Sequence, residues 1–140
     1  MTEFRYGFET RLKDVGYADA IERVTDALKA EGFGVLTTID VKDTLKKKLD
    51  VDFRRYVILG ACNPTLAKQA LEGEAQIGLL LPCNVVVQEM PEGGVSVSIA
   101  DPKAMFTLVD NPAVAPVADE ADRKLRRVIA TVAAARPHAT

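Results

Sequence analysis

The sequence predicts an α+β domain: a single mixed, largely antiparallel sheet of about five strands, with helices packed mainly on one face. Three observations carry that prediction. Period-two and helical apolar patterns follow one another along the 140 residues. Val85-Val86-Val87 and the alternating Val95-Ser96-Val97-Ser98-Ile99 flank the turn Pro91-Glu92-Gly93-Gly94, which is an antiparallel hairpin signature. A last stretch, 117–134, carries an apolar stripe at helical spacing.

Phe4, Tyr6 and Phe8 alternate with Arg5 and Gly7, as in a first strand with one buried face. Gly16 breaks the chain. From Tyr17, residues Ala20, Ile21, Val24, Ala27 and Leu28 fall on one helical face, and Gly32 is a left-handed cap. Phe33 to Ile39 reads as a second strand. Asp40 or Asp43 caps a short helix bearing Leu45 and Leu49, whose Lys46-Lys47-Lys48 run is a solvated face. A strand follows from Tyr56 to Gly60. Asn63-Pro64 then has the form of an N-cap and first helical residue, ahead of Leu66, Ala67, Ala70 and Leu71.

Ile77 to Leu81 fits either a helical turn or a strand, and Pro82 ends it. Three consecutive valines at 85–87 suit a strand buried on both faces or close to it. Asp101-Pro102 opens a turn or short helix with Met105, Phe106 and Leu108. Asn111 to Pro116 is a proline-punctuated connector. In the last helix Val117, Ala121, Leu125, Val128, Ile129 and Val132 face inward, with acids early and bases late, as the helix dipole favours. Residues 135–140 read as a flexible tail on a single domain spanning 1–140, with its core at about 4–134.

Composition narrows the function classes. Hydrophobic residues make up 48% and charged residues 27%, and the net charge is -2, so no basic surface points to nucleic acid. The amino terminus lacks a signal-peptide pattern, and the apolar run at 77–81 is too short to span a bilayer. The expectation is a cytoplasmic protein with reduced thiols, not bound to membrane.

Both cysteines lie in short motifs, Leu59-Gly60-Ala61-Cys62-Asn63-Pro64 and Leu79-Leu80-Leu81-Pro82-Cys83-Asn84. Cys62 precedes a helix start, where backbone N–H groups favour a thiolate; it also suits tight packing under a turn. Cys83 opens an apolar strand and reads first as a small buried hydrophobe. Together, Cys62 and Cys83 are candidate ligands for a soft metal such as Cu(I), or half of a zinc site. No CxxC motif is present, and His138 is the one histidine, so a structural zinc site of four cysteines, or of two cysteines and two histidines, cannot be assembled within one chain. A symmetric dimer can assemble four cysteines. Asn63 reads as a cap, Asn84 as a turn residue or a ligand-facing amide, and Asp101 as a cap or a polar group at the same sheet end. Arg54 and Arg55 read as solvent-facing charges. GxGxxG, Walker and HExxH motifs are absent.

These residues resemble the family of domains of unknown function numbered 302. The resemblance lies in Gly32-Phe33, the two cysteine motifs, Ile77-Gly78 with Val85-Val86-Val87, and Asp101-Pro102. It covers about Phe4 to Ala134. It implies a small α+β fold, often homodimeric, and no established activity or catalytic residues. Arg55 and Ala75 stand where the family pattern suggests proline.

Three functional expectations follow. A Cys62/Cys83 pocket binds a small ligand or soft metal, or senses redox state by oxidation of Cys62 with Cys83 as resolving thiol. Alternatively Cys62 is an enzyme nucleophile, with a carboxylate or Lys68 as base. Or both cysteines are core packing in a homodimer that buries an apolar face, through the Val85–Ile99 hairpin or the last helix. No cofactor is specified by the sequence.

Overall fold

The structure is a computed structural model, and it describes residues 1–134. The expected tail and His138 lie outside the described residues. Twelve elements follow one another: β1 (Thr2–Phe4), β2 (Gly7–Leu12), α1 (Tyr17–Ala30), β3 (Gly34–Asp40), α2 (Val41–Leu49), β4 (Tyr56–Cys62), α3 (Pro64–Gly73), a 3-10 helix (Ala75–Leu80), β5 (Cys83–Glu89), β6 (Val95–Ala100), α4 (Pro102–Phe106) and α5 (Ala115–Ala134). The strands form one six-stranded sheet in the order β1-β2-β6-β5-β4-β3. Every pairing is antiparallel. The α+β class therefore holds, with one strand more than expected and no parallel pair.

The extra strand comes from the amino terminus. Phe4, Tyr6 and Phe8 do not share one strand; the chain reverses at Arg5-Tyr6, so that Phe4 pairs with Gly7. Phe8 is buried, whereas Tyr6 is exposed. Gly7 is needed at this fold-back. A Cβ there would lie 2.7 Å from the Ile99 carbonyl oxygen and 2.9 Å from the Phe4 ring.

One face of the sheet is covered by α1 and α5. Phe8, Leu59, Val85, Val87, Val97 and Ile99 meet Val24, Leu28, Leu125, Val128 and Ile129 in the main core. All six stripe residues of the last helix are buried, as its periodicity predicts. Asp122, expected on the polar side, is buried as well. Its carboxylate accepts from Arg126 Nε at 3.0 and 3.1 Å, which answers the cost of burying it. Arg126 also lies over the Phe8 ring at 4.9 Å and pairs with Glu3.

The other face carries no helix from α1 or α5. Strand alternation places Ile58, Val86 and Ser98 there, each half-buried. Val86 corrects the expectation of a valine run buried on both sides, because only Val85 and Val87 turn inward. The edge strand β3 exposes Leu36 and Ile39.

A second core cluster closes one end of the sheet. Ala70 of α3, Ile77 of the 3-10 helix, Phe106 of α4, and Val114, Val117 and Ala118 at the start of α5 pack together. The ambiguous 77–81 stretch resolves as that 3-10 helix, which buries Ile77 and leaves Leu79 exposed. Leu81-Pro82 is a cis peptide.

Candidate functional site

Both cysteine motifs arrive at the closed end of the sheet. Cys62 is the last residue of β4 and Cys83 the first of β5. The register pairs Ala61 with Cys83 and Gly60 with Asn84. Alternation therefore assigns Cys83 to the helix-covered face with Ala61, and Cys62 to the opposite face with Gly60 and Asn84. Directly opposed cross-strand residues share a face, and these two cysteines are not directly opposed. Both are free thiols. They nevertheless bound the same small cavity where the strands end.

Burial pushes the Cys83 thiol up to about 11, and a charge on Cys62 would push it the same way. A thiolate costs more in low dielectric than a neutral thiol, so Cys83 is held protonated. The Cys83 side chain packs against the main core.

Gly60 shapes this end. A Cβ at Gly60 would fall 2.2 Å from Thr37 Oγ1 and 2.8 Å from Pro82 Cγ. Thr37 and Pro82 thus close over a residue that has no side chain, which sets the approach of the second motif to the first.

The candidate polar residues divide cleanly. Asn63 Oδ1 accepts from Leu66 N at 3.2 Å as the N-cap of α3, and its Nδ2 donates to the Glu31 carbonyl at 3.4 Å. Asp101 accepts from Lys103 N and Ala104 N at 2.9 and 3.1 Å, capping α4, and lies 3.7 Å from Arg126. Both residues are explained by structure. Asn84 is exposed, and its amide makes no side-chain hydrogen bond among the described residues. Asn84 is the one candidate whose polar atoms are left for a ligand.

Three adjoining cavities run past Cys83 and Asn84. The inner one, of about 30 Å³, lies between α3, α4 and the start of α5, and is bounded by Cys62, Cys83, Leu66 and Phe106. The middle one, of about 100 Å³, is bounded by Leu79, Cys83, Asn84, Met105 and Phe106. The outer one, of about 230 Å³, opens on the uncovered sheet face between Phe4, Tyr6, Asn84, Val86, Ser98 and Met105. Inner and middle share Leu81, Pro82, Cys83, Pro102 and Phe106; middle and outer share Asn84, Ala100 and Met105. Phe4 and Tyr6 stack edge to face, with ring centroids 4.8 Å apart. No charged residue lines any of the three among the described residues. Two roomier hollows, beside Lys103 and Asp119 and along α2, are charged surface features away from the motifs.

Residues Phe4, Tyr6, Ser98 and Met105 were not marked as site residues by sequence. They meet only through the amino-terminal reversal and α4, neither of which has a chemical motif. Lysines 46–48, expected as a solvated run, are exposed; Lys46 pairs with Asp50 at 3.0 Å and Lys47 with Asp43 at 2.8 Å. Arg54 stacks on Phe53 at 4.5 Å and bonds Gln88 at 3.0 Å, far from the cavities. Among the described residues, no group of three or more His, Cys, Asp or Glu is placed to hold a metal. No described helix is long and apolar enough to cross a membrane.

No curated protein matches this chain. Among solved structures, it is similar to the crystal structure of an uncharacterised conserved DUF302 protein from Bacillus stearothermophilus. The two are 29% identical, with a TM-score of 0.82, over 90% of this chain and 97% of that one. The pattern of the family described as "Domain of unknown function DUF302" matches residues 8–132. The fold, the two cysteine motifs and this match over most of the chain agree: the chain belongs to the DUF302 family.

Proposed function

We propose that this domain is a binding module for a small, uncharged, largely apolar molecule, held where the second cysteine motif meets α4. The observation that carries this reading is Asn84. Its unpaired amide stands in the wall shared by two uncharged, largely apolar cavities, the outer of which also holds Ser98 and Tyr6. A polar group aimed into an apolar pocket fixes orientation, while the apolar walls supply affinity. The volumes limit the guest. Drug-sized ligands occupy roughly 300–1,000 Å³, and the outer cavity has about 230 Å³. A single aromatic ring bearing an amide or hydroxyl fits that space. The absence of lining charge argues against an ionised ligand.

In this reading Cys83 is a neutral wall of the site and not a reactive group. A Cys62 nucleophile is disfavoured because, among the described residues, the inner cavity holds no carboxylate, amine or imidazole to serve as its base. A redox pair is disfavoured by the register, which assigns the thiols to opposite faces.

Benzamide and indole are suitable probes. Titration into uniformly labelled protein should shift the Asn84 side-chain amide together with Ser98 and Ala100 signals. Asn84→Ala should weaken benzamide by about fivefold to tenfold, as loss of one net hydrogen bond requires. No shifts at millimolar probe, or shifts confined to other surfaces, would overturn the assignment.

The uncovered sheet face favours a second reading, self-association. Ile39, Ile58 and Val86 sit together across three neighbouring strands on the face that α1 and α5 leave open. Two copies packed sheet to sheet would bury that patch. Val86→Lys should then convert a dimer to a monomer in sedimentation equilibrium; a wild-type protein that is monomeric at 100 μM or so would rule the reading out, since stable interfaces bind well below that.

A further inference from the structure

Arg126 lines none of the three cavities, yet its contacts reach two of the elements that wall them. From α5 its guanidinium holds the Asp122 carboxylate through Nε and pairs through Nη1 with Glu3 of β1. Its Nη2 lies 3.7 Å from the Asp101 carboxylate. Asp101 caps α4, the helix that carries Met105. The Asp101 N–H also donates to the Tyr6 carbonyl at 2.9 Å, at the amino-terminal reversal. Glu3 and Phe4 are neighbours in β1 on opposite faces of the sheet: Glu3 pairs with Phe8 of the core, and Phe4 pairs with Gly7. An ion pair that holds Glu3 behind the sheet therefore seats Phe4 in front of it, beside Tyr6 and Met105 in the outer cavity wall.

We infer that Arg126 is a positioning residue: a latch that seats the Phe4–Tyr6 wall of the outer cavity and thereby sets its affinity for an uncharged guest. The inference rests on the binding reading above and assigns what holds that site in shape. β1 needs such a tie. It has three residues, none of them buried, and it pairs with β2 alone at the edge of the sheet. So short an edge strand contributes little stability of its own. Arginine suits the task, because its planar fork can direct separate N–H groups at Glu3, Asp101 and Asp122. A wall that is seated only part of the time lowers apparent affinity by the fraction seated. A wall fixed beforehand spares the guest that ordering cost.

Replacing Arg126 itself would leave the Asp122 carboxylate buried without its partner, which threatens the fold. Glu3→Gln and Asp101→Asn cut the two outer ties instead. Both keep the Arg126–Asp122 pair, and asparagine still caps α4. Neither residue lines a cavity. The readout of wall position is the nuclear Overhauser contact between the Phe4 ring and the Gly7 α-protons, since a Cβ on Gly7 would lie 2.9 Å from that ring. The contact should be present in the ligand-free full chain and largely lost in the Glu3→Gln, Asp101→Asn double variant. The double variant should also bind benzamide about threefold or more weakly, with the Asn84 amide still shifting. A change in overall stability alone would move the urea midpoint and leave both readouts where they were. An unchanged Phe4–Gly7 contact in the double variant overturns the latch, and so does a lost contact with unchanged benzamide affinity. Wild type that binds no benzamide overturns the binding reading and the claim on affinity with it; the Phe4–Gly7 comparison decides the latch in either case.

Discussion

Cys83 should be a slow thiol, and its slowness can be worked out. Burial raises it from an ordinary value of 9.0 to about 11. At pH 8 the thiolate fraction is then about one in a thousand, against about one in ten for an unperturbed thiol, a hundredfold deficit. A more basic thiolate attacks faster, with a Brønsted slope of about 0.4–0.5, which recovers roughly tenfold. The net expectation is alkylation roughly tenfold slower than in the unfolded chain, before any steric shielding is added. Iodoacetamide labelling followed by peptide mass mapping measures this directly, and the urea-unfolded chain is the reference. Between pH 8 and 10 the native rate at Cys83 should climb about tenfold per pH unit, because the titration lies above that window. The same proton affects stability. A group whose folded value is raised contributes fully below its unfolded value and loses that contribution as pH rises. Stability should therefore fall between pH 9 and about 11, by up to roughly 3 kcal/mol if the shift is wholly burial. Cys83→Ala should lack that part of the slope, which separates it from the general effect of titrating tyrosines and lysines. The other titratable residue lining either cavity at Cys83 is Cys62. Native labelling at pH 8 as fast as in urea, or a rate that levels off by pH 9, would refute the reasoning.

Three further predictions rest on single contacts. Gly60→Ala places a methyl 2.2 Å from Thr37 Oγ1 and 2.8 Å from Pro82 Cγ. It should cost about 1–3 kcal/mol in urea unfolding, as overpacking does, and the double variant with Thr37→Ala should recover part of it. Asn63→Ala removes the cap on α3 and the tie to the Glu31 carbonyl, for about 1–2 kcal/mol by the same assay; an effect below a few tenths would mean that water replaces the cap. Burial pushes the Glu9 carboxyl up, but hydrogen bonds from Ser96 and Arg11 outweigh it and hold the carboxyl below its ordinary value. Its contribution is present above the unfolded value and lost as pH falls through the folded one. Ser96→Ala should thus raise the Glu9 titration seen by carbon-detected NMR, while an unchanged titration would assign the lowering to Arg11 alone.

Helix starts were legible because their chemistry is local. Asp40, Asn63 and Asp101 each cap the helix that follows, as their side chains and spacing predict. The hairpin of β5 and β6 and the stripe of α5 were legible for the same reason, since period and turn residues lie within one short window. The amino-terminal reversal was not. Arg5-Tyr6 has neither Gly nor Pro, and the alternation of Phe4, Tyr6 and Phe8 is compatible with one strand. Gly7 carried the missing signal, but its reason is the Ile99 carbonyl, which is 92 positions away in the sequence. The site suffers from the same limit. Cys83 and Asn84 could be marked by type, whereas Met105, Phe4 and Tyr6 are ordinary apolar residues that only the tertiary fold brings to the cavity wall.

The repeated Cys-Asn pair shows why motif similarity misleads here. One pair ends β4 and the other begins β5, in antiparallel strands. Opposite chain direction means that equal spacing along the sequence becomes opposite order in space. With Ala61 beside Cys83, Cys62 shares a face with Asn84 instead of with the other cysteine. The two asparagines part in the same way. Asn63 turns into a helix start, where orphan N–H groups consume its carbonyl. Asn84 enters a strand whose backbone is already paired with Gly60, so its amide is not drawn into local structure. The chemistry open to a ligand is therefore not two copies of one motif. It lies in the second motif alone: the exposed amide of Asn84 on one face of the strand, and the half-buried thiol of Cys83 on the other. A ligand search guided by the Cys-Asn echo would test the wrong pair, whereas Asn84→Ala tests the amide without touching either thiol.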